Sequence, residues 1–296
     1  MKAEAVWRAL PRKVREKLED DWEEKTQEIR LRCGQSVALR ENGKLRFLEE
    51  VISRADLRET VSLLSAYSLY AFEEELRQGY LTVEGGHRVG FCGKAVMENG
   101  EIRTLKQINA LNIRIAKERK GWGEGFLPDL MEGGRLCHTL LVSPPGCGKT
   151  TLLRDLVRCL SEQGMAVAVA DERGEIAPLR DGIPQMDVGR CTDVLEGCPK
   201  ALGMVLLLRS MAPEIIAVDE LGRQEDMEAV YEVLHCGVKI IATAHGYDFD
   251  DITKRLEPLV SDGVFERYLF LSSRKGTGTL EAILDGQGNI IRKGEV

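Results

Sequence analysis

The pattern of apolar and polar positions divides the chain into two halves, and the first half mixes strand and helix patterns. Apolar and polar residues alternate over residues 28–48, and the dipeptide Asn42-Gly43 favours a tight turn, so two strands joined by a hairpin are predicted. Residues 54–79 carry apolar side chains at helical spacing and end at a glycine, which predicts a helix. Short strand patterns follow. We therefore expect residues 1–118 to form a small α+β domain that begins with a helix.

That first helix is predicted to be amphipathic. Its apolar side chains fall on one side, whereas the remaining positions are mostly charged. The apolar side either packs on its own domain or docks a partner. Its members are Trp7, Leu10, Val14 and Leu18.

The second half shows a different pattern, in which short apolar runs alternate with helical segments. Four such runs cover residues 138–143, 165–171, 214–220 and 239–245. Residues 150–164 place leucine and valine side chains on one helical face and end at a glycine. Apolar strands that alternate with helices predict a mainly parallel sheet covered on both faces, and hence an α/β domain, which we place at residues 135–296. Residues 119–134 are rich in glycine and charge and are predicted to be a linker.

Composition argues against several classes of protein. The chain has 296 residues with 48 acidic and 41 basic side chains, so its formal charge of -7 argues against a duplex-DNA-binding surface, which needs clustered Lys and Arg. No run approaches a membrane span, which requires about 20 apolar residues, and the charged N-terminus lacks the apolar core of a signal peptide. The eight cysteines occur singly, without C-x-x-C pairs, which indicates reduced thiols in a cytosolic protein.

Candidate chemistry begins at the end of the first apolar run, where the chain reads SPPGCGKTT. This fits the phosphate-binding loop G-x-x-x-x-G-K-[ST], except that Ser143 replaces the first glycine. Gly146 and Gly148 allow backbone conformations in which N–H groups point at phosphate oxygens. Lys149 is expected to reach the β and γ phosphates of ATP, and the Thr150 hydroxyl to hold Mg²⁺. The predicted nucleotide-binding residues are Ser143, Pro144, Pro145, Gly146, Cys147, Gly148, Lys149, Thr150 and Thr151.

Polar residues also follow the other three apolar runs, and the carboxyl ends of parallel strands meet at one edge of a sheet. Asp219 and Glu220 resemble a Walker B pair: Asp219 is predicted to bind Mg²⁺ directly or through water, and Glu220 to polarise the attacking water. Residues 171–175 read DERGE after the second run. The fourth run carries Thr243 and His245, and His245 either donates a hydrogen bond to the γ-phosphate or to the water, or only caps the strand.

Several segments together carry a family resemblance. In the second half they read SPPGCGKTTLLRD, DERGEIA, DVLEGCPKALGMVLLLRSMAPEIIAVDELG and ATAHG, and in the first half EIRLRCGQSVALRENGK, HRVGFCGKAV and ALNIRIAKER. In this order they resemble stage III sporulation protein AA of endospore-forming bacteria. That family is similar to the ATPases of type II and type IV secretion and of pilus retraction. The likeness spans nearly the whole chain, whereas the phosphate-binding loop alone is unspecific.

The resemblance implies a RecA-like P-loop ATPase domain with a mainly parallel sheet, preceded by a smaller α+β domain like that of secretion ATPases. It implies ATP and Mg²⁺ at the site. Secretion ATPases are hexameric rings in which an arginine from a neighbouring N-terminal domain completes the site, so a homohexamer is implied here. Arg88 and Arg114 lie in the matching strands and are the candidates for that arginine.

The resemblance also implies roles at the strand ends. DERGE occupies the place of the acidic box, so Glu175, with Glu172 second, becomes a candidate for positioning the lytic water. TAHG occupies the place of the histidine box and gives His245. Many pilus motors keep only the glutamate of the Walker B pair, whereas here an aspartate precedes Glu220. Glu220 is therefore the alternative lytic base.

In the cell, the resemblance implies a motor for a transport or assembly complex between mother cell and forespore. Such a protein is expected to be cytoplasmic on the mother-cell side. Membrane proteins of the same sporulation channel complex are its expected partners and would hold it at the membrane. No nucleic acid partner is expected.

Two other functions remain open from the sequence. A RecA-like ATPase that handles nucleic acid would use the same core, although the acidic charge and the aromatic content of 5% give it little surface for stacking bases. A scaffold that binds nucleotide with little catalysis would also need the same loop. Nucleic-acid-stimulated turnover would favour the first of these. Full biological activity without the lytic base would favour the second.

Overall fold

The computed structural model describes residues 3–65 and 79–294, and the chain divides into two compact units. Their bounds are Met1–Lys117 with Arg180–Gln185 for the first unit, and Glu118–Leu179 with Met186–Val296 for the second. Each unit has its own main sheet and its own apolar core. The sequence patterns did not predict that the segment Arg180–Gln185 belongs to the first unit.

The first unit contains an antiparallel sheet. Its strands are β1 Thr26–Arg32, β2 Ser36–Glu41, β3 Lys44–Val51, β4 Tyr80–Val83, β5 His87–Glu98 and β6 Glu101–Arg114. Among the described residues they pair in the order β3-β2-β1-β6-β5-β4. Asn42 and Gly43, between β2 and β3, have φ angles of 49° and 79°, the left-handed values that a two-residue hairpin turn requires. The predicted hairpin is therefore confirmed.

The helices of the first unit share one core with the inward-facing strand residues. They are α1 Glu4–Ala9, α2 Arg12–Arg15, α3 Trp22–Lys25 and α4 Arg54–Leu64. Helix α4 begins at Ser53, whose hydroxyl accepts from the Asp56 N–H while the Asp56 carboxylate accepts from the Ser53 N–H. The helix predicted over residues 54–79 is thus present up to Leu64, and residues 66–78 lie outside the described part of the chain.

The amphipathic N-terminal helix is split in two. Pro11 separates α1 from α2, because proline lacks the N–H that would continue the helical hydrogen bonds. Leu10 and Val14 are buried in the core of the first unit, and Trp7 stacks on Trp22 with ring centroids 5.8 Å apart. Of the two readings of its apolar side, packing on its own domain is the one observed.

The second unit is built on a larger, mainly parallel sheet. The remaining strands are β7 Met131–Glu132, β8 Arg135–Leu136, β9 Thr139–Ser143, β10 Val167–Asp171, β11 Leu179–Arg180, β12 Ile183–Pro184, β13 Thr192–Glu196, β14 Ile215–Val218, β15 Lys239–His245, β16 Arg267–Ser272, β17 Thr279–Asp285 and β18 Ile290–Lys293. Of these, β12 and the second residue of β11 fall in the stretch Arg180–Gln185 that belongs to the first unit. The large sheet has the order β13-β10-β14-β15-β9-β16-β17-β18, parallel from β13 to β16 and antiparallel beyond. The four apolar runs are β9, β10, β14 and β15, and the predicted sheet is confirmed.

Helices cover both faces of this sheet. They are α5 Leu127–Leu130, α6 Lys149–Glu162, α7 Lys200–Met211, α8 Gln224–His235, α9 Phe249–Arg255 and α10 Glu257–Ser261. Successive side chains of a strand point to opposite faces, so Leu140 and Val142 pack with α7 and α8 while Leu141 packs with α6. Each fully buried aliphatic side chain contributes about 1.5–3 kcal/mol. No helix within the described ranges is long and apolar enough to cross a bilayer.

The segment predicted as a linker, residues 119–134, is part of the second unit from residue 119 onward. It contains a short 3-10 helix, Gly123–Gly125, and α5. The Asp155 carboxylate on α6 accepts a hydrogen bond from the Gly123 N–H at 2.6 Å. Leu130 is fully buried in the same apolar cluster as the leucines of α6. The segment predicted as a linker from its glycine and charged residues is therefore packed within the second unit.

Candidate active site

The predicted phosphate-binding loop connects β9 to α6 and is shaped by two glycines. Gly146 and Gly148 have φ angles of 75° and 92°, in the left-handed region that favours glycine. A Cβ at Gly148 would lie 3.3 Å from both Trp122 and Thr277. The N-terminal turn of α6 borders a cleft of about 370 Å³, large enough for a small ligand. The cleft is lined by Pro145, Gly146, Gly148, Lys149, Thr150, Thr151, Glu175, Glu220, His245 and Thr277.

Three of the residues predicted to bind nucleotide are not part of this lining. They are Ser143, Pro144 and Cys147. Cys147 is buried, with Sγ 3.8 Å from the Pro145 carbonyl oxygen. The Ser143 hydroxyl donates to the Pro144 carbonyl at 2.8 Å and accepts from Lys149 Nζ at 3.2 Å. The serine at the first loop position therefore adds a contact to the lysine that a glycine could not make.

The Lys149 ammonium is folded back onto its own loop. Nζ donates to the Ser143 carbonyl at 3.0 Å and to the Pro144 carbonyl at 3.2 Å, and lies 3.0 Å from His245 Nδ1. Burial lowers the pKa of Lys149, while nearby carboxylates work to raise it. Its acceptors are neutral, so an anionic phosphate oxygen entering the cleft would be a stronger partner for Nζ.

Helix α6 and the end of strand β14 are joined through Thr150 and Asp219, the residue that follows β14. The Thr150 hydroxyl donates to Asp219 Oδ2 at 2.8 Å, although the two residues are 69 positions apart. The Thr243 hydroxyl donates to Asp219 Oδ1. Thr243 lies on β15, which pairs directly with both β14 and β9. The parallel order of three neighbouring strands therefore brings these three side chains together.

This pair of oxygens suits Mg²⁺. Thr150 Oγ1 and Asp219 Oδ2 are adjacent hard ligands at the mouth of the loop. Within the described residues, no group of three or more His, Cys, Asp or Glu side chains is placed to hold a metal ion. Mg²⁺ usually takes only one or two protein carboxylates and completes its shell with water and substrate phosphates. A two-oxygen site beside a phosphate-binding loop fits that preference.

Glu220 is held at four points. Its N–H donates to the Thr243 hydroxyl at 2.9 Å and its carbonyl accepts from Lys200 Nζ at 2.8 Å. Its Oε2 lies 3.0 Å from Arg173 Nη1 and its Oε1 lies 3.0 Å from His245 Nε2. Glu220 also has a φ of 54°, which is uncommon for a residue other than glycine. The carboxylate is therefore presented to the cleft from a fixed backbone.

His245 connects the lysine of the loop with this carboxylate. Its Nδ1 faces Lys149 Nζ and its Nε2 faces Glu220 Oε1, each at 3.0 Å. An ammonium can only donate, so Nδ1 accepts and the ring proton sits on Nε2, which donates to the carboxylate. The histidine thus does more than cap β15: its two ring nitrogens contact the ammonium and the carboxylate, which both line the cleft.

The acidic segment after β10 is folded around Asp171. The buried Asp171 carboxylate accepts from the N–H groups of Glu175, Ile176 and Ala177 at 2.8–2.9 Å. Burial raises the pKa of Asp171, although these three hydrogen bonds work to lower it. Because the side chain of Asp171 closes the turn, Glu175 comes to line the cleft.

Glu172 points elsewhere. Its carboxylate lies 3.3 Å from Lys200 Nζ and 3.5 Å from Arg223 Nη1, and it lines a smaller neighbouring cavity. Burial works to raise the pKa of Glu172, but the two cations outweigh it and hold the pKa below its usual value. Of the two acidic-box candidates, the structure brings Glu175 to the cleft and gives Glu172 a cationic pair.

Arg88 and Arg114 belong to the first unit. They lie directly opposite each other on β5 and β6. The Arg88 guanidinium is 4.2 Å from the centre of the Tyr80 ring, and Arg114 Nε is 3.6 Å from Glu28 Oε1. The two candidates for an arginine shared between subunits therefore form one basic pair on the same sheet.

Two contributors to the site escaped the sequence patterns. Lys200 is the first residue of helix α7, and its buried ammonium donates to the Glu220 carbonyl. Thr277 lies in the loop between β16 and β17 and closes one side of the cleft. Neither residue belongs to a motif with its neighbours in sequence. Only the fold shows where they act.

Thr243 provides a test of how much the site depends on one buried hydroxyl. Replacing Thr243 with valine keeps the shape of the side chain but leaves Asp219 Oδ1 and the Glu220 N–H without this partner. Thr243 is fully buried, so we expect a loss of about 1–3 kcal/mol in the free energy of unfolding. Urea unfolding followed by circular dichroism measures it.

Thr253→Val is the matched control. Thr253 makes one hydrogen bond to a carbonyl of its own helix, α9, and is only partly buried. Its replacement should change the unfolding free energy by less than about 0.5 kcal/mol. Equal effects of the two substitutions would contradict a central role for Thr243.

Solved structures share this architecture. The pilus retraction motor PilT with bound ADP superposes with a TM-score of 0.60 at 17% identity, covering 87% of this chain and 78% of that chain. The ATPase DotB of Legionella pneumophila superposes with a TM-score of 0.55 at 15% identity, covering 88% of this chain and 77% of that chain. At such identities the likeness shows the fold, and the predicted RecA-like ATPase fold is confirmed.

Sequence comparison gives the family. Stage III sporulation protein AA of Bacillus subtilis (strain 168) is 42% identical over 299 residues, which is 98% of this chain and 96% of the relative. The family model described as sporulation stage III, protein AA matches residues 1–291. These matches run through both units, including the segments that carried the resemblance. The chain belongs to the family of sporulation stage III protein AA.

Proposed function

We propose that this protein is a Mg²⁺-dependent ATPase that works as a homohexamer and powers a transport or assembly complex between mother cell and forespore. One observation supports this above the others. Lys149, Thr150 and Glu220 line one cleft, and Asp219, which accepts from the Thr150 hydroxyl, lines the smaller cavity that shares Glu220 with it. A cation, a site suited to Mg²⁺ and a candidate base at the end of a phosphate-binding loop form the set that ATP hydrolysis needs.

Binding of the triphosphate would use the loop and its lysine. The N–H groups at the start of α6 and of the loop offer donors to phosphate oxygens. Lys149 would exchange the neutral carbonyls that it contacts now for anionic oxygens, a change that strengthens its hydrogen bonds. Ser143 would hold the ammonium near the loop as it turns.

Hydrolysis would then depend on Glu220. The carboxylate takes one proton from a water whose oxygen bonds to the γ-phosphorus, while the bond to the β-bridging oxygen breaks and leaves ADP and phosphate. Lys149 stabilises the negative charge that develops. Thr150 and Asp219 would hold Mg²⁺, which would supply positive charge beside the phosphates. His245, already linked to Glu220, would orient the carboxylate.

Metal dependence tests this arrangement directly. The purified protein should release phosphate from ATP with Mg²⁺ and stop when EDTA removes the metal. Asp219→Asn keeps the shape of the side chain but removes its charge, so the Mg²⁺ concentration for half-maximal rate should rise about 10- to 100-fold. Asp193→Asn, at an exposed position of β13, serves as the control. An unchanged Mg²⁺ requirement in Asp219→Asn would contradict this role.

The molar mass of the protein in solution tests the proposed hexamer. A ring whose sites are completed by a neighbour should appear or gain stability with ATP and Mg²⁺, as measured by light scattering. Arg88→Ala and Arg114→Ala should then lower turnover without abolishing ATP binding, because the arginine would act on the neighbour's phosphate. A monomer under all conditions, with full activity, would reject the shared site.

In the cell, the proposed partners are membrane proteins of the same sporulation channel complex, and the proposed place is the mother-cell cytoplasm at the membrane. Strains in which Glu220→Gln replaces the natural residue should fail to complete sporulation if hydrolysis powers the complex. Normal sporulation of such strains would favour a scaffold. Stimulation of turnover by single-stranded nucleic acid would favour the remaining alternative.

A further inference from the structure

One cation beside the cleft has no role in this mechanism. Arg173 lies in the DERGE segment, and its side chain is 57% exposed. It lines the smaller cavity next to the cleft, and Glu175 and Glu220 line both. The guanidinium is therefore placed where the two cavities adjoin, within reach of the carboxylate that is proposed to activate water.

Both oxygens of that carboxylate are already in use. Arg173 Nη1 lies 3.0 Å from Glu220 Oε2, and His245 Nε2 lies 3.0 Å from Glu220 Oε1. A water molecule that gives its proton to Glu220 needs an oxygen lone pair directed at it. Each carboxylate oxygen has a second lone pair, so both donors leave a site for the water, and the release of one donor would widen its approach.

The backbone of Glu220 is not free to shift and change the contacts of its carboxylate. Its left-handed φ of 54° costs about 1 kcal/mol or more for a residue with a Cβ and persists only where the surroundings fix it. The hydrogen bonds to Thr243 and from Lys200 fix it on both sides of the residue. Any change at the carboxylate has to come from its side-chain partners.

Of these two partners, Arg173 is better placed to move. His245 lies on β15 and is bound through its second ring nitrogen to Lys149, and its side chain is 37% exposed. Arg173 lies on a loop and is more exposed. A guanidinium binds carboxylate and phosphate oxygens with the same fork geometry, and it binds the more highly charged phosphate more strongly.

We propose that Arg173 exchanges the Glu220 carboxylate for the terminal phosphate of bound ATP. In that state it binds the substrate from within its own subunit and leaves Glu220 Oε2 to the attacking water. ADP lacks the terminal phosphate, so after hydrolysis Arg173 returns to Glu220. This inference rests on the proposed ATPase function and adds a residue that distinguishes ATP from ADP.

Calorimetric titration with two nucleotides tests the exchange. The unaltered chain, Arg173→Gln and Arg173→Lys are each titrated with AMP-PNP and with ADP in the presence of Mg²⁺. Arg173→Gln should weaken AMP-PNP binding about tenfold or more and leave ADP binding nearly unchanged, because one charge-assisted contact to the terminal phosphate is lost. Arg173→Lys should fall between, since a lysine keeps the charge but not the fork. Arg190→Gln, another exposed arginine paired with a glutamate, should change neither affinity.

The outcomes separate this inference from the function on which it rests. If the unaltered chain binds neither nucleotide, the proposed ATPase function fails and the exchange fails with it. If it binds both and Arg173→Gln keeps the same preference, the exchange is rejected while the ATPase function stands. Equal weakening of both nucleotides would show that Arg173 only supports the shape of the cleft, which also rejects the exchange.

Discussion

Replacing Lys149 with alanine is expected to abolish ATP turnover and to weaken ATP binding. The ammonium is the one side-chain cation lining the cleft among the described residues, where its nitrogen contacts two loop carbonyls and the ring of His245. In water-excluded sites, removal of one donor to developing charge typically lowers kcat by about 10²- to 10³-fold. Loss of the full charge should reach at least that range. Steady-state phosphate release and nucleotide titration measure the two effects.

The control for this substitution is Lys254→Ala. Lys254 is exposed near the end of α9, in the same unit and away from the cleft lining. It should keep the rate and the affinity of the unaltered chain. Since Lys149 is buried and hydrogen-bonded, thermal unfolding of Lys149→Ala must accompany the assay to show that the fold survives. If Lys149→Ala is well folded and has normal turnover, the phosphate-binding loop has no role in ATP hydrolysis.

The sequence was informative about the fold where local pattern and tertiary contacts agree. The strands β9, β10, β14 and β15 are continuous apolar runs, because helices cover both faces of the sheet, and such runs stand out between polar turns. The prediction of one N-terminal helix was less accurate, because a proline divides the amphipathic segment into two short helices. The segment before β8 looks like a linker because what orders it, Asp155, lies 32 positions away from Gly123.

The candidate site follows the same logic. A phosphate-binding loop and strand-end carboxylates can be recognised because each is a short motif, and parallel strands bring their carboxyl ends to one edge. The contacts of Thr243 with Asp219 and Glu220 depend on which strands are neighbours in the sheet. The contact of Lys200 depends on the position of its buried ammonium in the folded chain. The spacing of residues along the sequence predicts neither. For the same reason, the serine at the first loop position reads as a tolerated substitution until its contact with Lys149 is seen.

Glu220→Gln should separate binding from hydrolysis. The amide keeps the size of the side chain and can still accept from Arg173 or His245, but it cannot take a proton from water. General-base catalysis typically contributes about 10²- to 10⁴-fold, so kcat should fall by that amount. ATP should bind as tightly as before, since Glu220 is not a ligand of the triphosphate in this mechanism. The expected result is a chain that retains ATP, measured by filtration after mixing with labelled nucleotide.

Glu175→Gln is the matched comparison, because Glu175 lines the same cleft and is the alternative lytic base. Its backbone, not its carboxylate, is what the Asp171 turn holds, so the amide should leave the loop folded. If Glu220 activates the water, Glu175→Gln should retain most of the turnover while Glu220→Gln loses it. The reverse result would move the base to the acidic box and leave Glu220 as a partner of Arg173. Equal and nearly complete loss in both would mean that the two carboxylates share one proton path.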